Sequence, residues 1–226
     1  MATMPQDRFH DERQFYREHL RDSFRYSGKF EPQTERTAQD VAEKPEFDAI
    51  LRDAPAGSLD AARRIGDMAV VHLLTIAKQP GPWWRDLCNY ERGYFMQDVT
   101  TDQGPPTNRP RRGVSALCTN FTWNMPEVVK RMAEGKSIEE DVHQPVTLLF
   151  SRNHSGAVQI VEVGPVAEKV FRMTNGLRTV DQIASAAEVP LAETEQTLSA
   201  LAGIGAIVLG KSAEEITRIL REQGKA

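Results

Sequence analysis

Residues 168–189, "EKVFRMTNGLRTVDQIASAAEV", decide how the C-terminal third of this 226-residue chain is read. Val166, Val170 and Met173 recur at helical spacing, which predicts a helix over 165–174 that Asn175 and Gly176 stop. Thr179 followed three residues later by Gln182 is a capping box. Its hydroxyl and amide side chains satisfy the free amides of a new helix, predicted over 179–187 with Val180 and Ile183 on its apolar face. A third helix is expected over 191–202, with Leu191, Leu198 and Leu201 inward and a stop near Gly203 and Gly205. Upstream, "PVTLLFSR" (145–152) and "AVQIVEV" (157–163) are strand-like runs, and Asn153-His154-Ser155-Gly156 has the length of a hairpin loop. A hairpin followed by three short helices suggests a winged helix. "AIVL" (206–209) adds a short strand, and "AEEITRILREQ" (213–223) a terminal helix.

Working toward the N-terminus, residues 136–144 read as a boundary. Before it, "MPEVVKRMAEG" (125–135) predicts a helix with Pro126 in its first turn, and "VSALCTNFTW" (114–123) a strand. "VTTDQGPPTNRPRRG" (99–113) reads as a loop with a basic tip. "PWWRDLCNYERGYF" (82–95) is an aromatic helix, with Trp84, Leu87 and Tyr90 read first as core. Ser58 caps a helix that carries Ile65, Met68, His72 and Leu73 until "QPGP" (79–82) ends it. Residues 27–57 read as an arm or linker with a short helix at 47–52, and Phe9, Phe15, Tyr16, Leu20 and Phe24 give an amphipathic helix needing a partner surface. The expected class is α+β: a mainly helical N-terminal domain with a strand, then a winged-helix-like domain of hairpin and three helices. The expected division is an arm at 1–57, an accessory domain at 58–140 and a recognition domain at 141–226.

Composition narrows the function. A net charge of −4 argues against broad affinity for nucleic acid or anionic membrane, though not against a local basic patch. No signal peptide and no apolar run of about 18 residues is seen, so a cytoplasmic protein is expected. Cys88 and Cys118 form no C-x-x-C, and the five histidines show no i,i+4 pairing; no metal site and no cofactor are expected on this chain. Phosphate loops, G-x-S-x-G and H-E-x-x-H are absent, which predicts a non-enzyme. A DNA-reading helix needs cations for phosphates, yet 191–210 presents Glu193 and Glu195 and no lysine or arginine. The alternative is a cleft beside a sheet edge, where an extended peptide pairs its backbone with a strand.

At this point a resemblance enters. "LLFSR…AVQIVEVGPVAEKVFRMTNGLRTVDQI" resembles the PqqD-like recognition element, a small winged-helix-like module that captures leader peptides of ribosomally made natural products; the likeness spans about Val146–Leu209. It implies peptide contacts at Ala157, Val158, Gln159, Ile160 and Val161 on the strand, and at Leu191, Glu195 and Leu198 on the third helix. The family's first strand has no equivalent directly before Val146; it is either disguised at 138–143 or supplied from upstream. The N-terminal half is similar to accessory subunits of multinuclear non-haem iron oxidases that modify cysteines in precursor peptides, closer to the thiaglutamate than the methanobactin type. That similarity implies a heterodimer whose iron belongs to the partner oxidase. It also implies partner contacts at Arg109, Arg111 and Arg112 and along the aromatic helix and the Phe9–Phe24 helix. The rival reading is a DNA-binding winged-helix regulator.

Overall fold

The computed structural model describes residues 9–27, 40–76, 80–101, 104 and 107–210. The expected helix at 213–223 and much of the expected linker lie outside these residues. The protein is α+β, and no described helix is long and apolar enough to cross a membrane. The chain forms two compact units: residues 1–102 with 122–145, and residues 103–121 with 146–226. The loop and strand before residue 122 therefore group with the C-terminal segment.

The first unit is helical. Helix α1 (His10–Ser23) sets Tyr16 and Leu20 on one face, and both are buried. Helix α2 (Pro45–Asp53) begins on a proline, where the missing amide costs nothing, and buries Phe47 and Ile50. Helix α3 (Leu59–Ile76) starts at Ser58, whose hydroxyl accepts from the Ala61 amide at 3.3 Å. Helix α4 (Trp84–Val99) buries Trp84, Leu87, Cys88 and Phe95. The Phe95 ring sits 6.2 Å from Tyr16 and 6.1 Å from Phe24, so the Phe9–Phe24 segment, expected at a partner surface, is a structural part of this core. Helix α5 (Met125–Ala133) is capped by Asn124, which accepts from the Glu127 amide, and a 3-10 turn follows at Glu140–Val142.

Gly57 has φ +79, and a Cβ there would meet Thr101 Oγ1 at 2.6 Å. Its amide donates to the Tyr16 hydroxyl and its carbonyl accepts from the Thr101 amide. A side chain at this position would force that joint apart.

The second unit holds a three-stranded antiparallel sheet, order β2-β3-β4, made of β2 (Leu117–Phe121), β3 (Val146–Arg152) and β4 (Val158–Glu162). The strand that pairs with β3 on its other side comes from upstream in the chain: Leu117 pairs with Phe150 and Phe121 with Val146. Residues 138–143 contain the 3-10 turn instead. Helices α6 (Pro165–Met173), α7 (Val180–Ala187) and α8 (Leu191–Gly203) follow, and both bonds of the Thr179–Gln182 capping box are present. Their apolar faces meet the sheet in one core of Leu149, Val170, Phe171, Ile183, Leu198, Leu201 and Ile207, with Cys118 and Val161 packed against it.

The basic loop departs from expectation. Arg111 and Arg112 form a short strand, β1, antiparallel to β5 (Ile207–Val208). At the turn into β5, Gly205 has φ +77 and would place a Cβ 2.0 Å from the Arg152 carbonyl oxygen; only glycine allows that approach.

A candidate peptide-binding edge

Among the described residues β4 pairs only with β3, so its other side is a sheet edge. Which backbone groups face outward follows from two bonds. The Val163 amide donates to the Thr147 carbonyl, and the Asn153 amide donates to the Ala157 carbonyl. In an antiparallel strand both polar groups of one residue point to the same side, and the side alternates. Residues 157, 159, 161 and 163 therefore turn their backbones toward β3, and Val158, Ile160 and Glu162 turn theirs outward. Three N–H donors and three C=O acceptors line that edge.

Side chains alternate at right angles to this. Val161 packs against the helical core, which puts Gln159 on the same face, while Val158 and Ile160 lie on the opposite face; all four are half-buried. Ala157, expected within the strand, closes the hairpin instead, with its amide donating to Asn153 Oδ1 at 2.9 Å. Asn153 Oδ1 also accepts from the Ser155 amide and hydroxyl, which fixes the loop leading into β4. The sequence marked Asn153 only as a loop residue; its position at a hairpin start was the available signal.

On α8 the three expected contacts separate. Leu191 is 44% exposed and Glu195 is exposed, but Leu198 is 2% exposed and belongs to the core, where it offers a ligand no surface. The reason is spacing: positions 194, 198 and 201 form the inward stripe, and Thr194 and Leu201 are buried with Leu198.

Arg109, Arg111 and Arg112 belong to the second unit and gather at the turn between α6 and α7. Arg109 donates to the Leu177 carbonyl, the Gly176 amide donates to the Pro110 carbonyl at 3.0 Å, and the Arg112 guanidinium lies 5.7 Å from the Phe171 ring centre.

Groups able to do chemistry elsewhere are engaged in structure. Trp84 and Leu87 are core, and burial pushes the Tyr90 hydroxyl up to about 12. Burial raises the thiols of both Cys88 and Cys118, leaving little thiolate. His19 pairs with Asp98, His143 stacks on Trp123, and His72 meets Lys44 and Asp40. Among the described residues no group of three or more His, Cys, Asp or Glu side chains is placed to hold a metal ion.

Sequence reasoning missed Glu91. It is 1% exposed on α4, and its carboxylate accepts from the Tyr26 amide at 2.6 Å and from the Ser27 amide at 3.2 Å. Burial raises its pKa to about 7 despite those bonds. No periodicity marks such a residue, because its neighbours on α4 are polar and aromatic alike. No protein-family model matches the chain, and no curated protein sequence matches it.

Proposed function

We propose that this protein is a non-catalytic recognition subunit that grips the leader of a ribosomally made precursor peptide along β4. On this reading the second unit is a PqqD-like element of winged-helix type. The subunit presents a cysteine-bearing segment to a multinuclear non-haem iron oxidase of the thiaglutamate type, bound as a heterodimer in the cytoplasm. The iron is the oxidase's own.

The single observation supporting this is the outward edge at Val158, Ile160 and Glu162, which has no hydrogen-bond partner among the described residues. Six backbone bonds at ~1 kcal/mol net each would contribute ~6 kcal/mol. One or two apolar side chains add ~1.5–3 kcal/mol each. After ordering and association costs, micromolar affinity, about −8 kcal/mol, is reasonable. Holding the leader raises the effective concentration of the peptide's reactive end at the neighbouring iron centre. The exposed carboxylates Glu193 and Glu195 on α8 disfavour the reading as a DNA regulator.

The test looks beside this chain's gene for an oxidase gene and a short cysteine-containing reading frame, and co-expresses both products with this chain. The complex should co-purify, and a labelled leader should bind the full chain. Ile160→Pro removes an outward amide and no ladder bond, so it should weaken the leader while the oxidase still co-purifies. Unchanged leader affinity in that variant would remove β4 as the docking strand.

A further inference from the structure

Four arginines converge on the turn between α6 and α7, although the chain as a whole is acidic at −4. Arg109 and Arg112 are exposed; Arg111 and Arg178 are half-buried. Each guanidinium is held by a neutral group. Arg109 donates to the Leu177 carbonyl, Arg111 to the Arg112 carbonyl at 3.1 Å and Arg178 to the Met173 carbonyl at 3.0 Å, while Arg112 lies over Phe171. Among the described residues Arg109, Arg112 and Arg178 have no carboxylate in ion-pair contact. Among the described residues, then, their charge is oriented and has no opposite charge in contact. A guanidinium seated on a carbonyl or ring keeps further N–H donors for a planar carboxylate.

Leu177, the residue before Arg178 and the one whose carbonyl takes Arg109, is 71% exposed. Its amide donates to Asn175 Oδ1 at 3.0 Å and its carbonyl takes Arg109, so the turn is pinned at both ends while the side chain projects. The Pro110–Gly176 bond and the β1–β5 pairing hold the arginine strand against the same turn. A preordered apolar side chain on the same turn as these cations loses little entropy when a complementary surface arrives.

We infer that Arg109, Arg112 and Arg178 around Leu177 form a docking surface for an acidic segment of a partner protein, one that brings carboxylates to the guanidinium groups and an apolar contact to Leu177. This extends the reading of the loop arginines as a partner surface. It adds Arg178 and Leu177, states the partner's chemistry, and assigns the surface to the same compact unit that carries β4.

The probe is a labelled, amidated heptapeptide of glutamates with leucine at its third and sixth positions, read by anisotropy on the full chain at low salt. A lysine-for-glutamate peptide and a twelve-base-pair DNA duplex serve as comparisons. The acidic peptide should bind at least tenfold more tightly than either comparison, and weaken as salt rises. The triple variant R109E/R112E/R178E should lose at least tenfold in affinity, and Arg85→Glu, an exposed arginine of the first unit, should change it less than twofold. R109Q/R112Q/R178Q gives the same reading if the glutamate variant fails to fold. No acidic-peptide binding, binding that survives the triple change, or tighter binding of the duplex through the same arginines would each overturn the assignment. Leader affinity of Ile160→Pro is measured alongside, so a failure here is separable from a failure of the β4 reading.

Discussion

The two units finish their backbone hydrogen bonding in opposite ways. In the first, the amides just past α1, those of Tyr26 and Ser27, end on the buried carboxylate of Glu91. The chain supplies its own acceptor, and burying that carboxyl group raises its pKa to about 7. In the second, β4 leaves the outward groups of Val158, Ile160 and Glu162 without partners among the described residues, with Glu162 exposed at one end. Unpaired edges invite other strands, and a charged residue is one way to limit that. One region is completed by its own sequence; the other keeps the chemistry an incoming strand needs.

The contrast breaks most visibly if the first unit is not a tight core. Phe95→Ala, at a ring between Tyr16 and Phe24, should cost ~3–5 kcal/mol in urea unfolding; a loss under ~1 kcal/mol would mean those aromatics are loosely packed.

Glu91 gives the next effect, and its sign follows from linkage. Its folded pKa, about 7, lies above its ordinary value of 4.5, so the folded state holds the proton more strongly. This contribution to stability is full below about pH 4.5 and is lost as pH rises to about 7. The loss is at most about 3 kcal/mol. Glu91→Gln should flatten that part of the stability–pH curve measured by chemical denaturation; an unchanged curve would place the titration elsewhere.

Two neighbouring prolines sharpen the edge assignment. Val161 turns its amide toward β3, so Val161→Pro breaks the ladder and should lower the melting temperature clearly. Ile160→Pro should lower it far less and instead cost ~1 kcal/mol of leader affinity per lost bond. Equal melting temperatures would mean that the alternation deduced from Val163 and Asn153 is misplaced. Smallest of all, Leu191→Ser should leave stability within ~0.5 kcal/mol, because Leu191 is already 44% exposed, while still weakening a peptide that contacts it.

Much of this fold was legible in sequence because its signals are local. Ser58 and the Thr179–Gln182 pair mark helix starts through bonds made within one turn, and Pro126 marks one because its fixed φ and missing amide suit a first turn. Two apolar, strand-like runs joined by a loop of hairpin length marked β3 and β4. Long-range facts were not legible. Nothing between residues 114 and 123 says that this strand will pair with Val146–Phe150, and nothing in "RPRRG" says that two arginines will pair with Ile207 and Val208. At the candidate site, alternation separated Ile160 from Val161, but helical spacing alone grouped Leu198 with Leu191. The depth to which α8 sinks into the core is a tertiary property, and it buries Leu198 and leaves Leu191 at the rim.

The two cysteines carry a practical consequence. Since both sulfhydryls are held in their unreactive protonated form by burial, a cysteine placed at the exposed Ser199 of α8 should be the first to take a maleimide dye. A fluorophore can therefore be mounted on that helix without removing either native cysteine.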